Sequence, residues 1–186
     1  GTSGILVWGA QLEQGSYPTS YIPTYGSTVT RNAEVCNNSG SAQDFNSEKG
    51  VLYAEIAALA NDGTTRRISL SDGSSNNRVT LMYSTSNNSL EGFVVSGGST
   101  QYYFSETLTN VLNYNKIAVK YKANDFALWI NGVEYDIDTS GSAPVGLNEL
   151  SFDNGISADD FYGKVKNLQV FNKALTDREL EILTIQ

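Results

Sequence analysis

Apolar and polar side chains alternate over short runs along most of the chain, and each run ends in a cluster of Gly, Asn, Asp and Ser. A period of two matches a half-buried strand, and turn formers recurring about every ten residues mark a sandwich or barrel, so the expected fold is all-β. The candidate strands are 5–12, 50–59, 67–70, 78–84, 90–96, 101–105, 116–122, 126–131, 133–137, 149–153 and 163–171. The clearest local signal is Asn131-Gly132, because a two-residue type I′ turn needs positive φ at both central positions. That turn sets a register in which Ile130 faces Val133, Leu128 faces Tyr135 and Phe126 faces Ile137 on a core side, while Trp129 faces Glu134 and Ala127 faces Asp136 on an outer side. The preceding run extends the division, with Ile117, Val119 and Tyr121 inward and Lys116, Ala118, Lys120 and Lys122 outward. Near the end, Thr176-Asp177-Arg178-Glu179 spells a capping box, with Leu175 placed to staple against Leu180, which predicts a short C-terminal helix.

With 186 residues, the chain is long enough for one core with a fragment attached. The segment 15–30, with Pro18 and Pro23, reads as an ordered linker, so residues 1–30 are expected to be an N-terminal strand and Pro/Tyr linker, and 31–186 the main domain. Twelve Lys and Arg against 20 Asp and Glu leave a net charge of −8, which removes the electrostatic drive toward nucleic acid phosphates or anionic lipid. No histidine is present, which excludes Ser-His-Asp and Cys-His nucleophiles and an imidazole base. A single cysteine, Cys36, permits no internal disulfide. No run of about 18 apolar residues predicts a membrane span, and the start GTSGILVW lacks the basic region of a signal peptide. Because residue 1 is Gly and not an initiator Met, the chain reads as a piece of something longer.

Two stretches carry a family resemblance. Asn115-Lys-Ile-Ala-Val-Lys-Tyr121, then Phe126-Ala-Leu-Trp-Ile-Asn-Gly-Val133, then Gly163-Lys-Val-Lys-Asn-Leu-Gln-Val-Phe-Asn-Lys-Ala-Leu-Thr-Asp-Arg-Glu-Leu180 resembles the laminin-G-like, concanavalin A-like jelly rolls, and implies an antiparallel β-sandwich over 31–186. Val7-Trp-Gly-Ala-Gln-Leu-Glu-Gln-Gly-Ser-Tyr-Pro-Thr-Ser-Tyr-Ile-Pro-Thr24, followed by Val29-Thr-Arg-Asn-Ala-Glu34, is similar to a junction between β-sandwich modules in bacteriophage tail-fibre and other virion proteins. It implies that the run 5–12 is the last strand of a preceding module, or a strand recruited to the present one. Such jelly rolls often hold a structural calcium through an Asp just after the start of the final strand. Lys166 stands at that position, and an ammonium cannot ligate a cation that takes oxygen donors; Asp153, Asp159 and Asp160 remain as a possible loop set.

Glu134-Tyr-Asp136-Ile-Asp138 would place three carboxylates on one strand face. Laminarinase-type retaining glycosidases share the jelly roll and use a related Glu-x-Asp-x-Glu strand, with nucleophile and acid about 5–5.5 Å apart. Here the last residue is Asp138, one methylene short, and a solvated strand face is the plainer reading. A glycan-binding surface needs aromatic planes and planar hydrogen-bonding groups. The candidates are Trp129, expected outward; Arg66, Arg67 and Arg78 flanking the loop that holds Asn76 and Asn77; Tyr102 and Tyr103, of which one faces out and the other packs; and Glu134. Asn37 and Asn87 begin Asn-x-Ser sequons, which would carry no meaning for a phage protein made in a bacterium. The expected function is a non-catalytic carbohydrate-binding module of a bacteriophage tail or virion protein, with polysaccharide or cell-surface glycan and other virion chains as partners and a virion or extracellular location. The alternatives are a structural or protein-docking virion module, and a retaining glycosidase using Glu134 and Asp138.

Overall fold

The computed structural model describes residues 4–13, 20–30 and 39–186. The chain divides into two compact units, Gly1–Glu34 and Val35–Gln186. In the first unit the Gln11 Oε1 accepts from the Ile22 N–H at 2.8 Å, and the Trp8 and Tyr21 rings lie 5.0 Å apart. No strand forms over residues 5–12, contrary to the sequence expectation. Among the described residues of that unit there is no second strand to pair with it, and an unpaired extended run has no ladder to hold it. Cys36 and Asn37 lie outside the described residues.

The second unit is a sandwich of two five-stranded antiparallel sheets, as the alternation predicted. Its strands are β1 (Lys49–Ala58), β2 (Arg66–Ser71), β3 (Arg78–Tyr83), β4 (Ser89–Ser96), β5 (Ser99–Thr107), β6 (Asn115–Lys122), β7 (Phe126–Ile130), β8 (Val133–Asp138), β9 (Glu149–Ser151) and β10 (Gly163–Phe171). The first sheet runs β10-β1-β6-β7-β8 and the second β5-β4-β3-β2-β9. Alternate residues of each inner face build the core, with Leu52, Ile117, Leu128 and Phe126 from the first sheet meeting Ile68, Leu81, Leu90 and Phe104 from the second.

The turn between β7 and β8 has φ of 50° at Asn131 and 85° at Gly132, as a type I′ turn requires. The Asn131 Oδ1 also accepts from the Lys116 N–H at 2.9 Å. Ile130 pairs with Val133 and Trp129 with Glu134, but a bulge then shifts the register, so that Leu128 pairs with Asp136, Ala127 with Ile137 and Phe126 with Asp138. An extra residue sends every side chain beyond it to the other face. The expected pairs of Leu128 with Tyr135 and Phe126 with Ile137 do not form. Val133, Tyr135 and Ile137 are also not core: β8 is an edge strand, and they are 55%, 48% and 59% exposed.

The capping box forms as the sequence predicts. At α1 (Asp177–Thr184) the Thr176 side chain accepts from the Glu179 N–H, and the Glu179 carboxylate accepts from the Thr176 N–H at 2.8 Å. Leu175 and Leu180 join one apolar cluster on the outer face of the first sheet, with Val51, Tyr53, Ala118, Ala127 and Trp129. The Thr184 hydroxyl accepts from the Gly132 N–H at 3.1 Å, tying the end of α1 to the β7–β8 turn.

Candidate functional site

The outer face of the second sheet gathers the polar chemistry. Strand register aligns Ser69 of β2 with Thr80 of β3, Phe93 of β4 and Tyr103 of β5 in one row across the sheet. Arg67 flanks this row on one side and Arg78 on the other, because residues two apart on a strand share a face. Both guanidinia lie over the Phe93 ring, Arg78 at 4.9 Å and Arg67 at 5.8 Å from its centroid. Burial, then the neighbouring Arg67 charge, pulls the Arg78 guanidinium below the usual arginine range. Two like charges held this close, with a ring face beneath them, favour an anion or a set of carbonyl oxygens. Beside them the Ser69 Oγ, the Thr80 Oγ1 and the Arg78 Nε are buried without a hydrogen-bond partner among the described residues. Unpaired buried polar atoms cost free energy, so a face that collects these three and the Arg67 Nε is poised to accept a polar partner. Tyr103 rises at the rim, 54% exposed, and its hydroxyl donates to the Glu91 carboxylate at 3.1 Å.

A strap formed by residues 153–160 crosses part of this face. Gly155, at φ 83°, packs so closely on Ser69 and Ser71 that an added Cβ would lie 3.0 Å from the Ser71 side chain. Arg78 Nη1 donates to the Asn154 carbonyl at 2.7 Å, and the Arg67 N–H donates to the Asp159 carbonyl at 3.0 Å. The Asp159 carboxylate lies 3.2 Å from the Arg67 Nε.

Of the residues the sequence nominated, Arg67, Arg78 and Tyr103 are brought together on this face. Arg66 points elsewhere: it is buried, forked onto the Asp62 carboxylate at 2.8 and 3.0 Å, and donates to the Thr64 carbonyl. Tyr102 packs inward between Phe104 and Phe126, because its neighbour Tyr103 takes the outward position. Asn77 fastens loops, its Oδ1 accepting from the N–H groups of Gly97 and Val145 at 3.1 Å each. Asn76 is exposed at the end of the sheet, and its carbonyl accepts from the Gly98 N–H. Trp129 is the largest correction: it lies on an outer face as expected, but on the first sheet, where α1 covers it to 8% exposure. Glu134 is exposed beside it.

The β8 bulge also separates the carboxylates. Glu134 shares the outer face with Trp129, whereas Asp136 and Asp138 share the inner direction with Leu128 and Phe126. A nucleophile and acid on one strand face therefore do not form from Glu134 and Asp138. The calcium position does not fit the ion either. Lys166 sits in a bulge of β10 and ion-pairs with Glu55 of β1 at 2.6 Å, and the Glu55 carboxylate raises the Lys166 pKa above its ordinary value. Among the described residues no three acidic or thiol side chains converge to hold a metal, and Asp153, Asp159 and Asp160 do not come together as a set.

Phe93, Ser69, Thr80 and Asn154 were missed by sequence reasoning. Only the period-two pattern pointed to the first three, which become a site once the register of four strands is known, and Asn154, in the strap outside any strand, had no such signal.

Comparison with known proteins agrees with the fold. The architecture resembles the carbohydrate-binding module CBM40 of the Ruminococcus gnavus IT-sialidase bound to α2,3-sialyllactose, with a TM-score of 0.62 and 16% identity over 83% of this chain and 96% of that one. It also resembles the K499G mutant of NanB sialidase from Streptococcus pneumoniae, with a TM-score of 0.62 and 16% identity over 77% of this chain but 25% of that one. The binding domain of botulinum neurotoxin DC in complex with SialylT matches with a TM-score of 0.56 and 12% identity, over 74% of this chain and 35% of that one. No curated protein sequence matches at a significant level. A family model described as the concanavalin A-like lectin/glucanases superfamily matches residues 38–181. With that match spanning most of a chain folded as two packed antiparallel sheets, the protein belongs to the concanavalin A-like lectin/glucanases superfamily.

Proposed function

We propose that this chain is a non-catalytic glycan-binding module that grips acidic sugar on the outer face of the second sheet. One observation carries the reading: the Arg67 and Arg78 guanidinia sit over Phe93 beside buried, unpartnered Ser69 and Thr80 hydroxyls. A carboxylated sugar supplies what each group lacks, an anionic fork for arginine and ring hydroxyls for the orphaned polar atoms. Support comes from two fold neighbours, the CBM40 module bound to α2,3-sialyllactose and the neurotoxin binding domain in complex with SialylT. The separation of Glu134 from Asp138 by the bulge favours binding over hydrolysis at β8. The stretch 7–24, similar to junctions in tail-fibre proteins, supports placing the module on a bacteriophage tail or virion surface. There, multiple copies would turn weak single sites into avid attachment.

A glycan array of carboxylated and neutral sugars tests this. Binding confined to carboxylated glycans is expected, and Arg78→Ala or Arg67→Ala should each weaken it by about tenfold or more, the scale of a lost charged hydrogen bond. Silence across the array would favour the second reading, a protein-docking virion module. One observation favours that reading: the exposed apolar edge of β8 at Val133, Tyr135 and Ile137.

A further inference from the structure

The strap over the arginine pair supplies the kind of oxygens that a bound sugar acid would supply. The Asp159 carboxylate meets Arg67, and the Asn154 carbonyl meets Arg78. We propose that residues 153–160 form an internal plug, in which Asp159 stands in for the ligand's carboxylate and must leave Arg67 before ligand can bind. The inference rests on the glycan reading of this face and assigns its regulation.

Three features support a plug over a fixed part of the wall. First, the fit is imperfect: Arg67 Nε is close to the carboxylate but not aligned for a hydrogen bond, and the Ser69 and Thr80 hydroxyls stay unpaired under or beside the strap. A segment optimised only to cover the sheet would satisfy those atoms. Second, the strap carries its own local structure. The Asn154 Oδ1 accepts from the N–H groups of Ile156 and Ala158, and the Asn154 N–H donates to the Ala158 carbonyl, so its tip can move as a unit without losing these bonds. Third, Ser157 and Asp159 hold φ of 61° and 57°. Left-handed residues at these positions turn the backbone within the strap itself, so the shape of its tip is set locally and travels with it. A plug of this kind lowers apparent affinity by the fraction of molecules in which it is open.

The test uses the full chain with 3′-sialyllactose as the carboxylated probe and lactose as the neutral one. Asp159→Asn keeps a residue that tolerates positive φ while removing the charge. It is expected to bind 3′-sialyllactose about fivefold tighter than the parent, the scale of an exposed ion pair. Hydrogen exchange at residues 156–160 should rise in the unliganded variant while β3 stays protected. Glu48→Gln, an exposed carboxylate just before β1 and outside the strap, should leave affinity as in the parent. Binding by the parent with equal or weaker binding by Asp159→Asn would overturn the plug and leave the glycan reading standing. No binding of 3′-sialyllactose or any other carboxylated glycan by either protein would overturn both.

Discussion

Trp129 illustrates how one residue changes meaning between sequence and fold. On a strand among lysines and carboxylates it reads as a sugar platform, yet α1 lies over it, and its removal would open a cavity between helix and sheet. Trp129→Ala should lower the unfolding free energy by about 3–5 kcal/mol in urea titration, while folded protein keeps its glycan affinity. Gly92 constrains the opposite sheet in a different way. It pairs between Leu81 and Phe104, and a Cβ there would strike the Phe104 ring and the Thr80 carbonyl. The ring can shift but the carbonyl belongs to the ladder, so Gly92→Ala should cost about 1–3 kcal/mol by the same titration. The arginines were legible as residues because Arg66-Arg67 and Arg78 bracket a polar loop. That Arg66 turns to Asp62 while Arg67 and Arg78 meet over Phe93 follows from strand parity and cross-strand register, which a linear reading leaves open.

At the scale of elements, α1 is eight residues long, too short to persist alone, so its capping and docking decide whether it forms. The Thr176 N–H, then Lys173, hold the Glu179 carboxyl down at about 2. A carboxyl depressed by folding contributes stability that is complete above its unfolded value and is lost as pH falls from about 4.5 through about 2. Acidification over that window should therefore loosen α1 and expose Trp129, read as its fluorescence in a Trp8→Phe background. Glu179→Gln should flatten the part of the profile due to this group, and an identical profile in both proteins would show that the cap does not couple to docking. The β7–β8 hairpin shows both powers of local sequence. Asn131-Gly132 set the turn and the first two pairs, but one bulge residue beyond reversed the faces of Asp136, Ile137 and Asp138. A bulge is a property of a strand pair, two residues on one strand opposing one on the other, so the run 133–138 by itself carries no strong signal of it.

Over the whole molecule, the first sheet joins β1 to β10, pairing Val51 with Phe171, and long-range pairings must close large loops before they stabilise anything. Refolding of the sandwich should accordingly take about milliseconds to seconds or longer, measured by stopped-flow fluorescence from urea; a microsecond phase carrying the full amplitude would contradict this. The alternation period, the turn residues and the capping box by themselves determined that the main part of this chain is an antiparallel sandwich ending in a short helix. Each of those features acts between residues close in sequence, where backbone geometry and hydrogen-bond reach leave few choices. Only the tertiary structure decided which outer face offers a site, because that depends on what covers each sheet. Helix α1 closes the Trp129 face with apolar contacts, whereas the strap 153–160 crosses the arginine face and leaves polar atoms unpaired beneath and beside it. Coverage is settled by packing between segments distant in sequence, and no local pattern encodes it.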